Sequence, residues 1–271
     1  MPGIASGSPA VLLAAIGQVT NRIRLGSGGV MLPQHQPFIV AEQFRMLEGM
    51  YPGRIDLGLG TSLGFTPAVR KALRREEITP EEIDRDIREV LDYVASREAI
   101  TARPKTDPIP VYVLASRSGV ARAARLGLPV VIGGPMVFSE RLPALLDEYR
   151  AAFEGESPHV MLSVDAFAAP TRERARELAL PEAWAMAQTR RTGEFGPLEP
   201  VERILAQAWP DHVRERVEKH LGGVILGTPT EIADRLAALA ARTGAGELLV
   251  STSTYDRDDL AGLDETLIGA V

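Results

Sequence analysis

The strongest constraint on this chain is an alternation. Short apolar runs recur along it: IRLGSGGVML (23–32), RIDLGLG (54–60), PVYVLAS (110–116), LPVVIGG (128–134), HVMLSVDAFAA (159–169) and ELLVSTST (247–254). Between them lie stretches whose apolar residues repeat at helical spacing. Strands that read as apolar runs, rather than as half-polar alternation, are buried on both faces, and helices between them imply a parallel sheet. Six strands fit an open doubly wound sheet or a piece of a (β/α)8 barrel. GSGG at 26–29 sits inside a strand, so it is no dinucleotide fingerprint, and no Walker A motif occurs. That favours the barrel, in which ligands meet the C-terminal ends of several strands.

The helices carry their own punctuation. Ser8-Pro9 opens one that runs to about Gln18. A second runs from Phe38 to about Met50, with Phe38, Ala41, Phe44 and Leu47 on one face. Thr79-Pro80-Glu81-Glu82 and Thr228-Pro229-Thr230-Glu231 are capping boxes with proline at the first helical position. Ile83, Ile87, Leu91 and Val94 follow the first box, and Ile232, Leu236 and Leu239 the second, which Gly244 ends. Further helices are expected at 120–127, 139–154 and 258–268, and a short one within 65–78. Residues 170–224 read as a polar helical insertion interrupted by Pro197, Pro200 and Pro210, within a single domain of 1–271.

Composition narrows the function. No cysteine occurs, which removes disulfides, thiolate catalysis and thiolate metal sites. The net charge of -6, with no basic cluster interleaved with aromatics, argues against a nucleic-acid partner. No apolar stretch has membrane length, and the N-terminal apolar run lacks a basic leader, so a cytoplasmic protein is expected.

Small polar residues gather at the strand ends. Gly28 and Gly29, Gly58 and Gly60, Ser116 and Ser118, Gly133 and Gly134, and Ser251 and Thr252 would share one rim of a barrel. In ASRSGVARAARLG (115–127) a strand ends just before a helix, and Ser116, Ser118 and Gly119 could hold a phosphate on its free N–H groups. The alternative is an ordinary serine N-cap. His35, in LPQHQP, follows a strand and is either a proton donor or a solvent-facing side chain. Glu42 reads as a first-turn helix carboxylate, and Asp56 as the partner of a basic residue. His159 starts a strand at the opposite rim, and His212 and His220 make a poor metal pair, so no metal is expected.

The stretch GSGGVMLPQHQPFIVAEQFRMLEGMYPGRIDLGLGTSLG (26–64) resembles the bacterial luciferase-like monooxygenases. Segments 114–129 and 227–256 continue the resemblance, which is weakest across 170–224. It implies a luciferase-like (β/α)8 TIM barrel that binds reduced FMN at its C-terminal rim. By position, Ser116, Ser118 and Gly119 would carry the phosphate, in a turn about one residue shorter than usual. The ring would lie over Gly28 and Gly29 and near Leu59-Gly60. His35 is the rim residue expected to handle substrate or activated oxygen. Family members begin with a strand, helix and strand ending in Glu-His-His, before the residues that match MPGIASGSPAVLLAAIG. The barrel is therefore expected to be incomplete, with strands three to eight. A start assigned too far downstream is the expected reason, the alternative being a missing wall supplied by a partner or a rearranged fold.

The resemblance implies a flavin-dependent monooxygenase. It would use reduced FMN from a separate flavin reductase, molecular oxygen and a small organic substrate, and a homo-oligomer is compatible with it. A deazaflavin is the alternative cofactor. A catalytically inactive flavin-binding or structural remnant is the alternative role. A phosphate-binding isomerase or aldolase would need a lysine or paired carboxylates on strand ends, and Lys71, Lys105 and Lys219 all fall outside the expected strands.

Overall fold

Every strand pairing described below is parallel, as the apolar runs predicted. The computed structural model describes residues 7–63, 67–192 and 196–270. In chain order the elements are α1 (Pro9–Gln18), β1 (Leu25–Gly26), β2 (Val30–Met31), α2 (Pro37–Met50), β3 (Ile55–Gly60), α3 (Pro67–Ala72), α4 (Pro80–Val94), β4 (Val111–Ala115) and α5 (Arg117–Arg125). They continue with β5 (Val130–Gly133), α6 (Leu142–Ala151), β6 (Val160–Ala168), α7 (Arg172–Thr192), α8 (Val201–Leu205), α9 (Asp211–Leu221), β7 (Ile225–Gly227), α10 (Pro229–Thr243), β8 (Glu247–Ser251) and α11 (Arg257–Ala270). The chain forms two compact units. One comprises Gly3–Val131 and Ala144–His159, the other Ile132–Pro143 and Val160–Val271.

In the first unit β3 is central, with β1 and β2 on one side and β4 on the other. Ile55, Leu57 and Leu59 have no exposed surface. Helix α2 buries Val40, Ala41, Phe44 and Leu47 and packs on α4, which buries Ile87, Val90 and Val94. Each of these side chains except Ala41 contributes about 1.5–3 kcal/mol on leaving water. The α4 capping box forms as its sequence requires: Thr79 Oγ1 accepts from Glu82 N at 3.2 Å, and Thr79 N donates to Glu82 Oε2 at 2.8 Å. Arg45 is buried with neutral partners. It donates to the Val94 carbonyl and to Ser96 Oγ at the α4 C-terminus, and to the carbonyl of Thr106, so it knits α2 to α4 and the following loop.

In the second unit β6 serves two neighbours in succession. Its first half, Met161 to Asp165, pairs with Glu247 to Ser251 of β8, and its second half, Ala166 to Ala168, pairs with Ile225 to Gly227 of β7. Helices α7 and α9 pack on one another through Leu178, Ala179, Ala183, Val213, Val217 and Leu221. The α10 box also forms, with Thr228 and Glu231 bonded reciprocally, and Gly244 closes the helix at φ +61°. Strand β8 is half open: Leu249 is 45% exposed.

The α/β class and the luciferase-like order of elements stand as expected, and the sheet of each unit is open. Among the described residues the first element is the helix α1, with no strand ahead of it. Three details differ from the sequence reading. The single strand expected at 23–32 is broken into β1 and β2, and β7 lies just past the insertion, too short at three residues to stand out from its surroundings. Glu42 is the sixth residue of α2, so it is not a first-turn carboxylate.

Candidate functional site

The break between β1 and β2 is a bulge with a measurable register. Gly26 pairs with Asp56 and Val30 with Leu59, so four steps on one strand are matched by three on the other. The extra residue is accommodated by Ser27, whose hydroxyl donates to the Gly58 carbonyl and accepts from the Gly58 amide, both at 3.0 Å. One side chain thus replaces the ladder partner that a bulge removes. The glycines fit around it. A Cβ on Gly58 would collide with the Ser27 carbonyl, and one on Gly29 would lie 2.7 Å from the Gly58 oxygen. Close approach of two strands therefore explains Gly29 and Gly58. Gly28 is different: a Cβ there meets nothing within 4 Å, so its bare backbone borders open space. The Gly28–Gly29 peptide bond is cis.

Beyond the bulge the strands align in a row. Met31 pairs with Gly60, and Gly60 with Leu114. Counting outward from that row, Thr61 and Ser62 leave β3, Ser116 leaves β4, and His35 leaves β2 after a tight turn. His35, Gly60, Ser116 and Ser118 thus belong to the same, C-terminal end of three adjacent strands. The Leu59 side chain is wholly buried on the face it shares with Ile55 and Leu57, so it can offer this end only its backbone.

Helix α5 starts at Arg117, three residues before the expected 120. Ser116 is its N-cap residue, yet its side chain makes no capping bond. Ser116 thus holds the N-cap position of the ordinary alternative without making its side-chain bond. Gly119 N and Val120 N both bond the Ser116 carbonyl, which leaves the amides of residues 117 and 118 without a helical partner. Ser116 and Ser118 are exposed. Gly119 is buried, and a Cβ on it would sit 3.0 Å from that of Ala115, so its role is close helix–strand packing. Two arginines of this helix are already engaged: Arg122 and Arg125 both bind Asp84. Burial alone would push the Asp84 carboxyl up, but these two guanidinium groups hold it below the usual range.

His35 is half-buried, and that burial lowers its pKa. Burial thus favours the uncharged ring, in which one nitrogen donates and the other accepts. Its backbone N–H donates 2.9 Å to the Leu32 carbonyl, closing the turn Leu32–Gln34. The preceding side chain reaches across the site end: Gln34 Nε2 donates 2.7 Å to the Leu63 carbonyl in the β3 exit loop. Sequence reasoning passed over Ser27 and Gln34. Neither belongs to a motif with chemical meaning, and each acts on a partner about 30 residues away.

The remaining titratable candidates resolve simply. Asp56 forms a two-pronged pair with Arg24, at 2.6 and 2.7 Å, as expected of a strand carboxylate. His159 precedes β6 and stands edge-on to Tyr112. No group of three metal-ligating side chains exists among the described residues, and no helix there is long and apolar enough to cross a membrane.

The second unit holds a separate polar cluster. Ser251 Oγ donates 2.5 Å to Asp165 Oδ1, across the β6–β8 pairing. On α7, burial first and then the Asp165 charge push the Glu182 carboxyl up to about 7. On α9, burial lowers the pKa of His220, while the same aspartate opposes that shift.

Comparison with known proteins identifies the family. A chain from Escherichia coli (strain K12) named luciferase-like monooxygenase is 32% identical over 265 residues, which cover 94% of this chain and 79% of that one. The crystal structure of apo-MsnO8 superposes with a TM-score of 0.84 at 29% identity, covering 98% of this chain and 83% of its own. The oxygenating constituent of 3,6-diketocamphane monooxygenase from Pseudomonas putida, solved with FMN, shares the fold at a TM-score of 0.70 and 19% identity, over 97% and 83% of the two chains. The family described as luciferase-like monooxygenase matches residues 1–247. This chain therefore belongs to the luciferase-like monooxygenase family.

Proposed function

We propose that the protein is a flavin-dependent monooxygenase, with reduced FMN held at the C-terminal end of β2, β3 and β4. The observation that carries this reading is the pairing of an open glycine backbone at Gly28 with a helix start whose serine side chains make no capping bond. The first suits a flat ring and the second suits a phosphate. Ser116, Ser118 and the amides of residues 117 and 118 would take the phosphate oxygens, with bonds to a charged acceptor worth roughly 1.5–3 kcal/mol each. Gly28, Gly29 and the Leu59-Gly60 backbone would border the ring. His35, its uncharged form favoured by burial, would hold or accept a proton at an imidazole nitrogen, next to where a small organic substrate enters. When bound, reduced FMN supplies the two electrons with which molecular oxygen places one atom in the substrate and releases the other as water. A separate flavin reductase would renew it.

Calorimetric titration with FMN, riboflavin and a deazaflavin tests the assignment. FMN should bind best, and the double variant Ser116→Ala, Ser118→Ala should weaken FMN far more than riboflavin, which has no phosphate. Equal weakening of both would remove the phosphate site. Preference for the deazaflavin would replace oxygenation with hydride transfer. Flavin binding without incorporation of labelled oxygen into any product would identify an inactive flavin carrier.

A further inference from the structure

We propose that Gln34 is a positioning residue for His35, and that its hydrogen bond to Leu63 makes the exit segments of β2 and β3 a single rigid edge of the site. Only the significance given to that edge rests on the flavin reading above; the coupling itself does not. Segment 32–37, LPQHQP, is stiff by composition, since Pro33 and Pro37 fix two backbone angles around the histidine. It has one turn bond of its own, His35 N to Leu32 O, and that bond fixes the backbone of His35 but not its distance from β3. The Gln34 amide supplies the missing link. At 2.7 Å and partly buried, it clamps the carbonyl three residues past the end of β3, across 29 residues of sequence.

Two consequences follow. Thr61 and Ser62, lying between Gly60 and Leu63, are held at a fixed distance from the histidine turn. On this proposal the clamp also preserves part of the burial that lowers the His35 pKa. If the clamp is released, the imidazole gains water and its pKa moves back toward that of a free histidine.

The experiment uses the full chain without added cofactor. Proton NMR follows the His35 titration, and hydrogen exchange follows the amides of 61–63, in the wild type, Gln34→Met, Gln34→Glu and Gln34→Asn. Methionine fills the same space without a donor. Glutamate keeps the shape but sets a negative oxygen against the carbonyl, and asparagine keeps the amide one methylene short of reach. All three should raise the His35 pKa, and should speed exchange at 61–63 by roughly five- to tenfold, the equivalent of one hydrogen bond. A packing role would instead leave the methionine variant like the wild type in both readouts of the cofactor-free protein, and the glutamate variant like the wild type in exchange, since its charge raises the His35 pKa by itself. That result, or an unmoved His35 titration in Gln34→Asn, would overturn the proposal. Failure to bind flavin would leave the cofactor-free readouts intact, so it would count against the flavin reading alone.

Discussion

The two units hold their functional-looking residues in place by different forces. In the first, the β1–β2 bulge is fixed by contact. Two glycines and a serine fit where one added methyl group would strike backbone, and no charge takes part. In the second, Asp165 on β6, Glu182 on α7 and His220 on α9 are related through charge and desolvation, while Ser251 of β8 donates to Asp165. Steric fixing is insensitive to solution conditions and intolerant of substitution. Electrostatic fixing tolerates an isosteric change and responds to pH. The first suits a surface that must present the same shape to a ligand in every state, and it is there that Gly28 borders open space.

The largest effect expected is that of Gly58→Ala. Its Cβ would drive into the Ser27 carbonyl and, at 3.0 Å, into Leu114 Cδ1. A backbone atom cannot move aside as a side chain does, so the bulge must open. A loss above about 3 kcal/mol is expected, in the upper range for single substitutions. Urea unfolding measures it, and a variant within about 0.5 kcal/mol of wild type, the ordinary range for surface substitutions, would show that the two strands are not so closely apposed.

Ser27→Ala comes next. It leaves the amide and carbonyl of Gly58 without the hydroxyl that serves both, at a cost of about 1–3 kcal/mol for buried polar groups left unpaired. Ser27→Thr keeps the hydroxyl and should recover part of that loss. If alanine and threonine are equally stable, the two bonds at 3.0 Å carry no weight.

The second unit should answer to pH instead. An acid whose pKa rises on folding adds stability below its unfolded value and loses it as pH climbs through the folded one. Glu182 should therefore make the native state less stable between about pH 4.5 and about 7. A shift of this kind corresponds to about 1.4 kcal/mol per unit. Because the carboxyl is partly exposed, screening reduces the net effect to on the order of 1–2 kcal/mol. Glu182→Gln should abolish that slope, being near neutral at pH 5 and stabilising at pH 8. Parallel melting curves for the two proteins across that range would contradict the desolvated carboxylate.

Much of this arrangement was legible in the sequence, and the limits are instructive. Local signals read well. Both capping boxes formed at the residues that spell them, and the parallel sheet followed from the apolar runs. What failed to read was the relation of one segment to another. IRLGSGGVML has the composition of one strand, and only its register against β3 shows that one residue is extra. The three residues of β7 are too few to declare a period. The site residues read unevenly for the same reason. Ser116 and Ser118 could be placed because a strand end and a helix start are both local events. Gln34 and Ser27 act on carbonyls about 30 residues away, and nothing in their own surroundings announces it. The glycine cluster was visible from the outset, but its two causes were not separable, because Gly28 and Gly29 differ only in what lies opposite them.

That difference yields the smallest and most discriminating prediction. Gly28→Ala should scarcely change stability, since its methyl group would meet nothing within 4 Å. Losing glycine's freedom in the unfolded chain could even favour the fold by about 0.4–1 kcal/mol, provided alanine adopts the local backbone geometry. The same methyl group would, however, occupy the space assigned to the flavin ring. Binding of FMN should weaken while the unfolding curve stays in place, the reverse of the pattern expected for Gly58→Ala, where the fold itself gives way. Riboflavin should weaken as much as FMN, because the obstruction lies under the ring and not at the phosphate. The serine pair at 116 and 118 makes the complementary prediction, a loss confined to the phosphate-bearing ligand. If Gly28→Ala binds both flavins as the wild type does, the open space beside Gly28 is not where the ring lies. The ring assignment would then pass to the Leu59-Gly60 backbone.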